Sequence, residues 1–362
     1  MSTITVDLGA RSYPVIIESG LLQRLPEVMD SLTIQGRIGL VSNAPVHALY
    51  GSVVEDALTA AGCQLTTALV PEGEQIKSLE TAAGLYDSFL QGGLDRSSTI
   101  VALGGGVIGD LAGFVAATLF RGINFVQIPT SLLAMVDASI GGKTGVNHPL
   151  GKNLIGAFHQ PQAVLIDPEL VRSLPHRELT SAFAEILKAG AIADRDFYIS
   201  LANNAESMLA ADNLPLLSDA IERACRIKAE VVSADEREGD RRRLLNFGHT
   251  IGHALETALG YGQLRHGEAV ALGMHGAGVI SRELAGLPED DLRLLLKPLG
   301  SLNLPALPPL NHEAILGYLR RDKKMRHGQL HFVLLERIGQ PIISTAVRDR
   351  HIRLALERIE EE

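Results

Sequence analysis

Tryptophan is absent from this chain and aromatic residues make up only 4% of it, which argues against a stacking platform for single-stranded nucleic acid. Basic charge is not in excess either. Forty-two acidic side chains face 33 basic ones, for a net charge of -9, so phosphate backbones are repelled at long range. Any small anion must therefore be met by a locally basic pocket. Cysteine occurs twice, at Cys63 and Cys225. The two are far apart and lack metal-ligand spacing, and they read as buried thiols of a reducing compartment. One apolar stretch, Ser98 to Phe120, approaches the length of a membrane span, but it carries Asp110 and five glycines. A strand, a tight loop and a buried helix fit it better. No secretory leader is read at the N-terminus, where Met1-Ser2-Thr3 runs straight into an alternating pattern. The expectation is a cytoplasmic protein with neither a membrane nor a nucleic acid as partner.

What is present is a chain of 362 residues, 46% of them hydrophobic, long enough for two domains. Thr3–Leu8 and Tyr13–Glu18 alternate and read as a hairpin. Arg37–Ser42 is a short apolar run of buried-strand type, Thr99–Leu103 is a second apolar strand, and Gln64–Val70, Asn124–Ile128 and Ala163–Ile166 also read as strands. Helical stretches at Val46–Ala61, Ser78–Leu90 and from about Gly109 to Phe120 separate the earlier ones. That alternation predicts a mostly parallel α/β sheet covered on both faces. From Leu170 to Leu299 the periodicity is helical, clearest at Leu179–Lys188, Leu216–Val232 and His249–Leu259. A strand pair at His331–Leu335 and Pro341–Ser344 and a last helix at Arg348–Glu360 follow. The boundary is placed at 168, giving an α/β domain over 1–168 and a largely α-helical domain over 169–362.

Three features carry chemistry. Gly104-Gly105-Gly106-Val107-Ile108-Gly109 fits G-x-G-x-x-G after a strand and before a helix, the context in which backbone N–H groups receive a pyrophosphate. The acid expected about 20 residues later for ribose is missing, and Glu72 with Lys77 on the preceding turn are candidates in its place. Gly141-Gly142-Lys143-Thr144 looks like the end of a phosphate loop, but Asp137 stands where that loop needs glycine. The second feature is His249 and His253, which share a helix face, with His266-Gly267-Glu268 after a loop and Glu185 on an earlier helix. Two histidines and a carboxylate make an open divalent-metal site; which two histidines ligate is open, and spacing alone prefers His249 with His253, as in metalloprotease helices. No glutamate follows the first histidine, so a metalloprotease is not expected. The third feature is a set of basic residues, Arg121, Lys143, Lys152, Lys188, Lys228 and Arg242, with Lys152-Asn153 read in a loop after Gly151. In an acidic protein they suggest an enclosed anion site. Asp322-Lys323-Lys324 adds a late basic pair.

The segments Gly104–Asp110, Ile128–Asn147, Gly151–Phe158, Leu245–Glu256 and His266–Val270 resemble the 3-dehydroquinate synthase family. The resemblance implies an NAD-binding N-terminal domain and a metal- and substrate-binding C-terminal one. It implies zinc or cobalt on Glu185, His249 and His266, with His253 as a neighbouring acid/base or phosphate contact rather than a ligand. It also implies NAD contacts from Glu72, Gly73, Glu74, Gln75, Ile76 and Lys77, from Gly105, Gly106, Val107, Ile108, Gly109 and Asp110, from Thr130 and Ser131, from Lys143 and Lys152, and from Leu170, Val171, Arg172 and Ser173. Substrate contacts would come from Arg121, Asp137, Asn153, Lys188, Lys228, Arg242 and Asn246. Glu238 and His253 would handle protons, with Lys152, Asp137 and Lys188 at the reacting centre.

The activity implied is conversion of 3-deoxy-arabino-heptulosonate 7-phosphate to 3-dehydroquinate and phosphate through transient oxidation, elimination, re-reduction and aldol closure, in a homodimer. The alternatives are a cyclase acting on sedoheptulose 7-phosphate or glucose 6-phosphate, and a metal-dependent polyol dehydrogenase.

Overall fold

A computed structural model of the chain describes residues 1–210, 213–239, 241–260, 262–325 and 330–361, without the side chains of 321–325. The side chains of Asp322, Lys323 and Lys324 thus lie outside the described residues. The chain forms two compact units, Met1–Leu174 with Lys228–Arg237, and Pro175–Ile227 with Glu238–Glu362. Relative to the boundary read at 168, the first unit also takes in the stretch to Leu174 and a segment from the second half of the chain.

The first unit contains strands β1 (Ser2–Val6), β2 (Tyr13–Ile17), β3 (Arg37–Asn43), β4 (Gln64–Val70), β5 (Thr99–Gly104), β6 (Asn124–Pro129), β7 (Lys143–His148), β8 (Gly151–Phe158) and β9 (Ala163–Ile166). Its helices include α1 (Leu25–Ser31), α2 (Ser52–Ala60), α3 (Leu79–Gln91) and α4 (Gly106–Thr118). Seven strands make one sheet in the order β1-β2-β9-β6-β5-β3-β4. Neighbours are parallel except in the β1–β2 hairpin. Every residue of β5 is buried, as expected of a strand covered on both faces. From β3 the chain steps outward to β4, then returns to the other side of β3 as β5. Strand order therefore reverses between β3 and β5, and the carboxyl ends of strands at such a reversal form a crevice. The Gly104–Gly106 turn leaves β5 there.

Helix α4 is apolar on most sides. Ile108, Leu111, Phe114 and Val115 share a core with Ile100, Phe125 and Val146. The helix packs against β5, β6 and β7. It starts at Gly106, three residues before the start expected at Gly109. Packing overrides the poor helix propensity of its glycines. A Cβ on Gly109 would lie 2.5 Å from Gln127 Oε1, and one on Gly113 would lie 2.4 Å from Thr144 Cγ2. A second correction concerns Lys152 and Asn153, expected in a loop. They belong to β8, which pairs antiparallel with β7. Gly151, which suggested a loop, opens the strand, and another glycine further along lets the two strands meet: a Cβ on Gly156 would lie 2.2 Å from Thr144 O. The helix expected from Val46 begins at Ala44 and passes through one wide turn, His47–Gly51, into α2.

The second unit contains α5 (His176–Ala193), α6 (Arg195–Leu209), most of α7 (Leu214–Ala234), α8 (His249–Leu259), α9 (His266–Leu284), α10 (Glu289–Gly300), α11 (His312–Met325) and α12 (Asp349–Glu360). A hairpin of β10 (Phe332–Arg337) and β11 (Gln340–Ser344) completes it. Among the described residues no strand falls between 170 and 299, and no helix is long and apolar enough to cross a membrane. The stretch Ser98–Phe120 is β5, its glycine turn and α4. In α5 every residue from Leu179 to Ile192 is buried.

Helices α8 and α9 meet backbone to backbone. A Cβ on Gly273 would lie 1.9 Å from Gly248 O, and one on Gly252 would lie 2.7 Å from Ala269 O. The start of α9 presses on α5 in the same way, with the Cβ position of Gly267 only 1.7 Å from Ser181 O. Small residues thus draw three helices together where Glu185, His249 and His266 emerge. Gly273→Ala should destabilise the protein by about 1–3 kcal/mol through forced separation of α8 and α9. A lowered urea midpoint at unchanged slope would report it, and a midpoint equal to wild type would contradict the packing role given to Gly273.

Candidate active site

Glu185 projects from the buried stretch of α5, His249 opens α8 and His266 opens α9. Glu185 Oε1 lies 3.6 Å from His249 Nε2 and 3.3 Å from His266 Nε2. Neither carboxylate oxygen accepts a hydrogen bond, although Lys188, one turn along α5, is ion-paired to Oε2. His249 Nδ1 is 3.2 Å from the Phe247 carbonyl oxygen, and His266 Nδ1 is 3.7 Å from Glu256 Oε2. His249 Nδ1 is within hydrogen-bond distance of a carbonyl, His266 Nδ1 faces a carboxylate, and both Nε2 atoms face Oε1 of Glu185. This is the arrangement in which histidines serve a metal. His253 completes a cluster of three rings, with centroids 5.3 Å from His249 and 5.8 Å from His266. Nitrogens of the three histidines lie within 4.8 Å of one another.

The electrostatics fit a cation. Burial opposes ionisation of Glu185, but the charge of Lys188, with the two histidines, holds its carboxyl well below the usual carboxylate range. Burial, reinforced by Lys188, pushes His249 down to about 3, leaving a neutral imidazole. Burial works against charge on His266 too, yet Glu185 and Glu256 together lift it to about 10. The pocket therefore favours positive charge beside Glu185 against the cost of desolvation. An orphaned buried carboxylate oxygen and two neutral-capable imidazole nitrogens are a suitable donor set for zinc or cobalt, with positions left open. Glu268, next but one to His266, serves elsewhere. It is buried, bonded to Arg177 at 2.6 and 2.8 Å, and accepts the Arg265 N–H at the start of α9.

In the first unit the glycine turn suits a dinucleotide. Gly105 is extended at the N-cap of α4 and no side chain caps that helix, so its first N–H groups point outward for an anion. Nearby, Lys77 is buried and donates from Nζ to Asp110 Oδ2 at 2.7 Å and Asn153 Oδ1 at 2.6 Å. Thr130 is buried and donates its N–H to Gly104 O, and Ser131 Oγ accepts from Ala134 N. Lys228 Nζ donates to the backbone oxygen and carboxylate of Asp137. Lys143, Lys152 and Arg121 are exposed. Glu72, Gly73 and Gln75 form an exposed turn, whereas Ile76, Ile108, Leu170 and Val171 are core residues that offer a ligand little beyond their backbone. In the second unit Arg242 is buried, and Asn246 Nδ2 donates to Glu238 Oε1 at 3.2 Å.

Two family models, 3-dehydroquinate synthase N-terminal and C-terminal, match residues 67–181 and 182–325. The chain belongs to the 3-dehydroquinate synthase family. The 3-dehydroquinate synthase of Microcystis aeruginosa (strain NIES-843 / IAM M-2473) is 47% identical over 363 residues, 99% of this chain and 98% of the relative. That of Synechocystis sp. (strain ATCC 27184 / PCC 6803 / Kazusa) is 47% identical over 98% of this chain and 99% of its own. Among solved structures, 2-epi-5-epi-valiolone synthase from Streptomyces hygroscopicus subsp. jinggangensis 5008, with NAD+ and Zn2+ bound, superposes with a TM-score of 0.89 at 30% identity, covering 100% of this chain and 99% of that one. A 2-deoxy-scyllo-inosose synthase complexed with carbaglucose-6-phosphate, NAD+ and Co2+ gives 0.86 at 26% identity, over 99% and 100%. The glycerol dehydrogenase of Schizosaccharomyces pombe shares the fold, at 0.67 and 18% identity, over 96% of this chain and 88% of that one. The expected fold, a largely parallel α/β unit with a largely helical one, holds for this family member.

Glu256 was not singled out from sequence. Its signal was there: His249, His253 and Glu256 follow at i, i+4 and i+7, one face of α8. Glu256→Ala should weaken zinc binding about 10- to 100-fold while far-UV circular dichroism stays unchanged. Chelator competition on the metal-stripped protein measures it, and wild-type affinity would remove Glu256 from the site.

Proposed function

We propose that this chain converts 3-deoxy-arabino-heptulosonate 7-phosphate into 3-dehydroquinate and phosphate, a carbon–oxygen lyase reaction dependent on NAD and a divalent metal. The observation that carries the reading is the convergence of Glu185 Oε1 with the Nε2 atoms of His249 and His266, in a chain 47% identical to 3-dehydroquinate synthases over nearly its whole length. Those three residues would hold zinc or cobalt. The Gly105–Asp110 turn, with Glu72–Lys77, Thr130, Ser131, Lys143, Lys152 and the backbone of Leu170–Ser173, would hold NAD. Bound there, the ion supplies Lewis acidity and NAD a reversible hydride acceptor, with no net oxidation.

The chain's own residues do the remaining work. A substrate with a carboxylate and a phosphate needs two sets of cations, and Arg121, Lys152, Lys188, Lys228 and Arg242 supply them in a protein of net charge -9. Burial of Lys188, Lys228 and Arg242 strengthens each of those contacts. Asp137 fixes the Lys228 ammonium. Asn246 orients the Glu238 carboxylate, and with His253 this would take and return the substrate's protons. Asn153 and Asn246 would bond the hydroxyls. The working form is a cytoplasmic homodimer.

Purified protein given metal, NAD and the heptulosonate phosphate should release one phosphate per product with no accumulating NADH. Phosphate release from sedoheptulose 7-phosphate or glucose 6-phosphate alone would make it a different cyclase, and net NADH from polyols a dehydrogenase. His249→Ala should retain less than about a tenth of the bound metal and lose turnover, as removal of one of three protein ligands implies, while its unfolding remains cooperative. Full turnover by that variant without metal would sink the assignment.

A further inference from the structure

The β7–β8 hairpin has an irregularity next to the proposed cofactor turn. Val146 pairs with Ile155 and His148 with Gly151. A single residue of β7, Asn147, thus stands opposite three of β8, Lys152, Asn153 and Leu154, and the ladder is interrupted there. Bulges of this kind re-aim side chains beside functional sites. Here the side chain of Asn147 replaces the missing ladder bond: its Oδ1 accepts the Asn153 N–H at 2.9 Å. Asn153 sits in the left-handed region at φ 55°, a conformation asparagine tolerates better than most residues but that still needs outside support. The other end of Asn147 reaches the turn before α3. Its Nδ2 donates to Glu74 Oε1 at 2.8 Å, and its backbone N–H donates to Lys77 O at 2.7 Å. Lys77 in turn bonds Asn153 Oδ1 and Asp110 Oδ2. The ring of contacts is closed, and Asn147 is the member that touches both the turn and the hairpin by side chain and backbone.

We infer that Asn147 is a positioning residue that sets Asn153 and the Glu74–Lys77 turn in one geometry, so that a single side chain governs both substrate and NAD affinity. The inference rests on the proposed function for the roles of Asn153 and Lys77. All the groups involved belong to the first unit. An aspartate at 147 would still accept the Asn153 N–H, but it would meet Glu74 with a second carboxylate instead of a donor. A glutamine at 74 restores a donor–acceptor pair with the polarity reversed.

The test compares wild type, Asn147→Ala, Asn147→Asp, Glu74→Gln and the Glu74→Gln/Asn147→Asp double variant as metal-loaded enzymes. NAD dissociation constants are measured calorimetrically, with kcat and KM for the heptulosonate phosphate. Asn147→Ala should raise KM about tenfold, the loss expected for one or two hydrogen bonds, with kcat within about threefold. Asn147→Asp should weaken NAD binding about tenfold or more, and the double variant should return to within about threefold of Glu74→Gln alone. The exchange of partners separates positioning from folding, because a merely structural asparagine gives no recovery. Constants within twofold of wild type in both single variants at 147, or a double variant no better than Asn147→Asp, would overturn the inference. If wild type binds NAD but does not turn over this substrate, the proposed function fails, and the inference is then decided by the NAD constants of the five proteins alone.

Discussion

An ionised carboxylate buried in the middle of a helix is the constraint on which the second unit depends. Glu185 lies in a stretch of α5 that is buried from Leu179 to Ile192, and an isolated charge there would cost several kcal/mol. The surroundings answer in two ways. Lys188 provides a counter-charge from the same helix. Histidines from α8 and α9 turn their Nε2 atoms toward the oxygen that Lys188 does not take. That second answer requires two further helices to come within reach of α5, and they do so where Gly248, Gly252, Gly267 and Gly273 let backbones touch. The glycines, the histidines and the glutamate are thus one arrangement: without the close approach, the carboxylate would be stranded.

The first unit is governed by a different requirement, a bare backbone at the end of a fully buried strand. β5 delivers the chain to the reversal of strand order, and the glycines after it leave the first N–H groups of α4 uncapped. Such a turn attracts anions without any basic side chain in its own sequence. An acidic protein can thereby present an anion site there. Burial still raises the carboxyl of Asp110, the one acid on the helix, above its ordinary range, and Lys77 offsets only part of that rise.

Much of this was legible in the sequence where pattern and physics coincide. The inner strands of the parallel sheet were readable because a short, continuous apolar run between turn residues suits a strand buried on both faces and little else. Ala163–Ile166 matches residue for residue and is buried throughout. Gln64–Val70 matches as well, although as the edge strand it is largely exposed. The helix His249–Leu259 was equally plain. Two local readings failed where glycine is dense, at the start of α4 and in the β7–β8 hairpin, because the close contacts that require Gly109, Gly113 and Gly156 cannot be seen in sequence. The pairing of Glu185 with His249 and His266 lay beyond spacing, since His253 is the nearer helical neighbour of His249. That reading came through the family resemblance. Glu256 was within reach of helical periodicity and was overlooked. Asn147 left no trace, because nothing in a one-dimensional pattern marks the residue opposite a bulge.

Helix α7 has a further consequence. Its last residues, from Lys228, belong to the first unit, where Lys228 grips Asp137 across 91 positions of sequence. During synthesis the N-terminal sheet can assemble early, but its unit cannot be finished until the ribosome has passed residue 237, well into the helical half. A first half cut near 168 would lack that segment, and the second half would carry it without the sheet it belongs to. Evolution of this chain by exchange of whole domains is correspondingly constrained: a new C-terminal partner would have to bring its own copy of the lysine-bearing helix end.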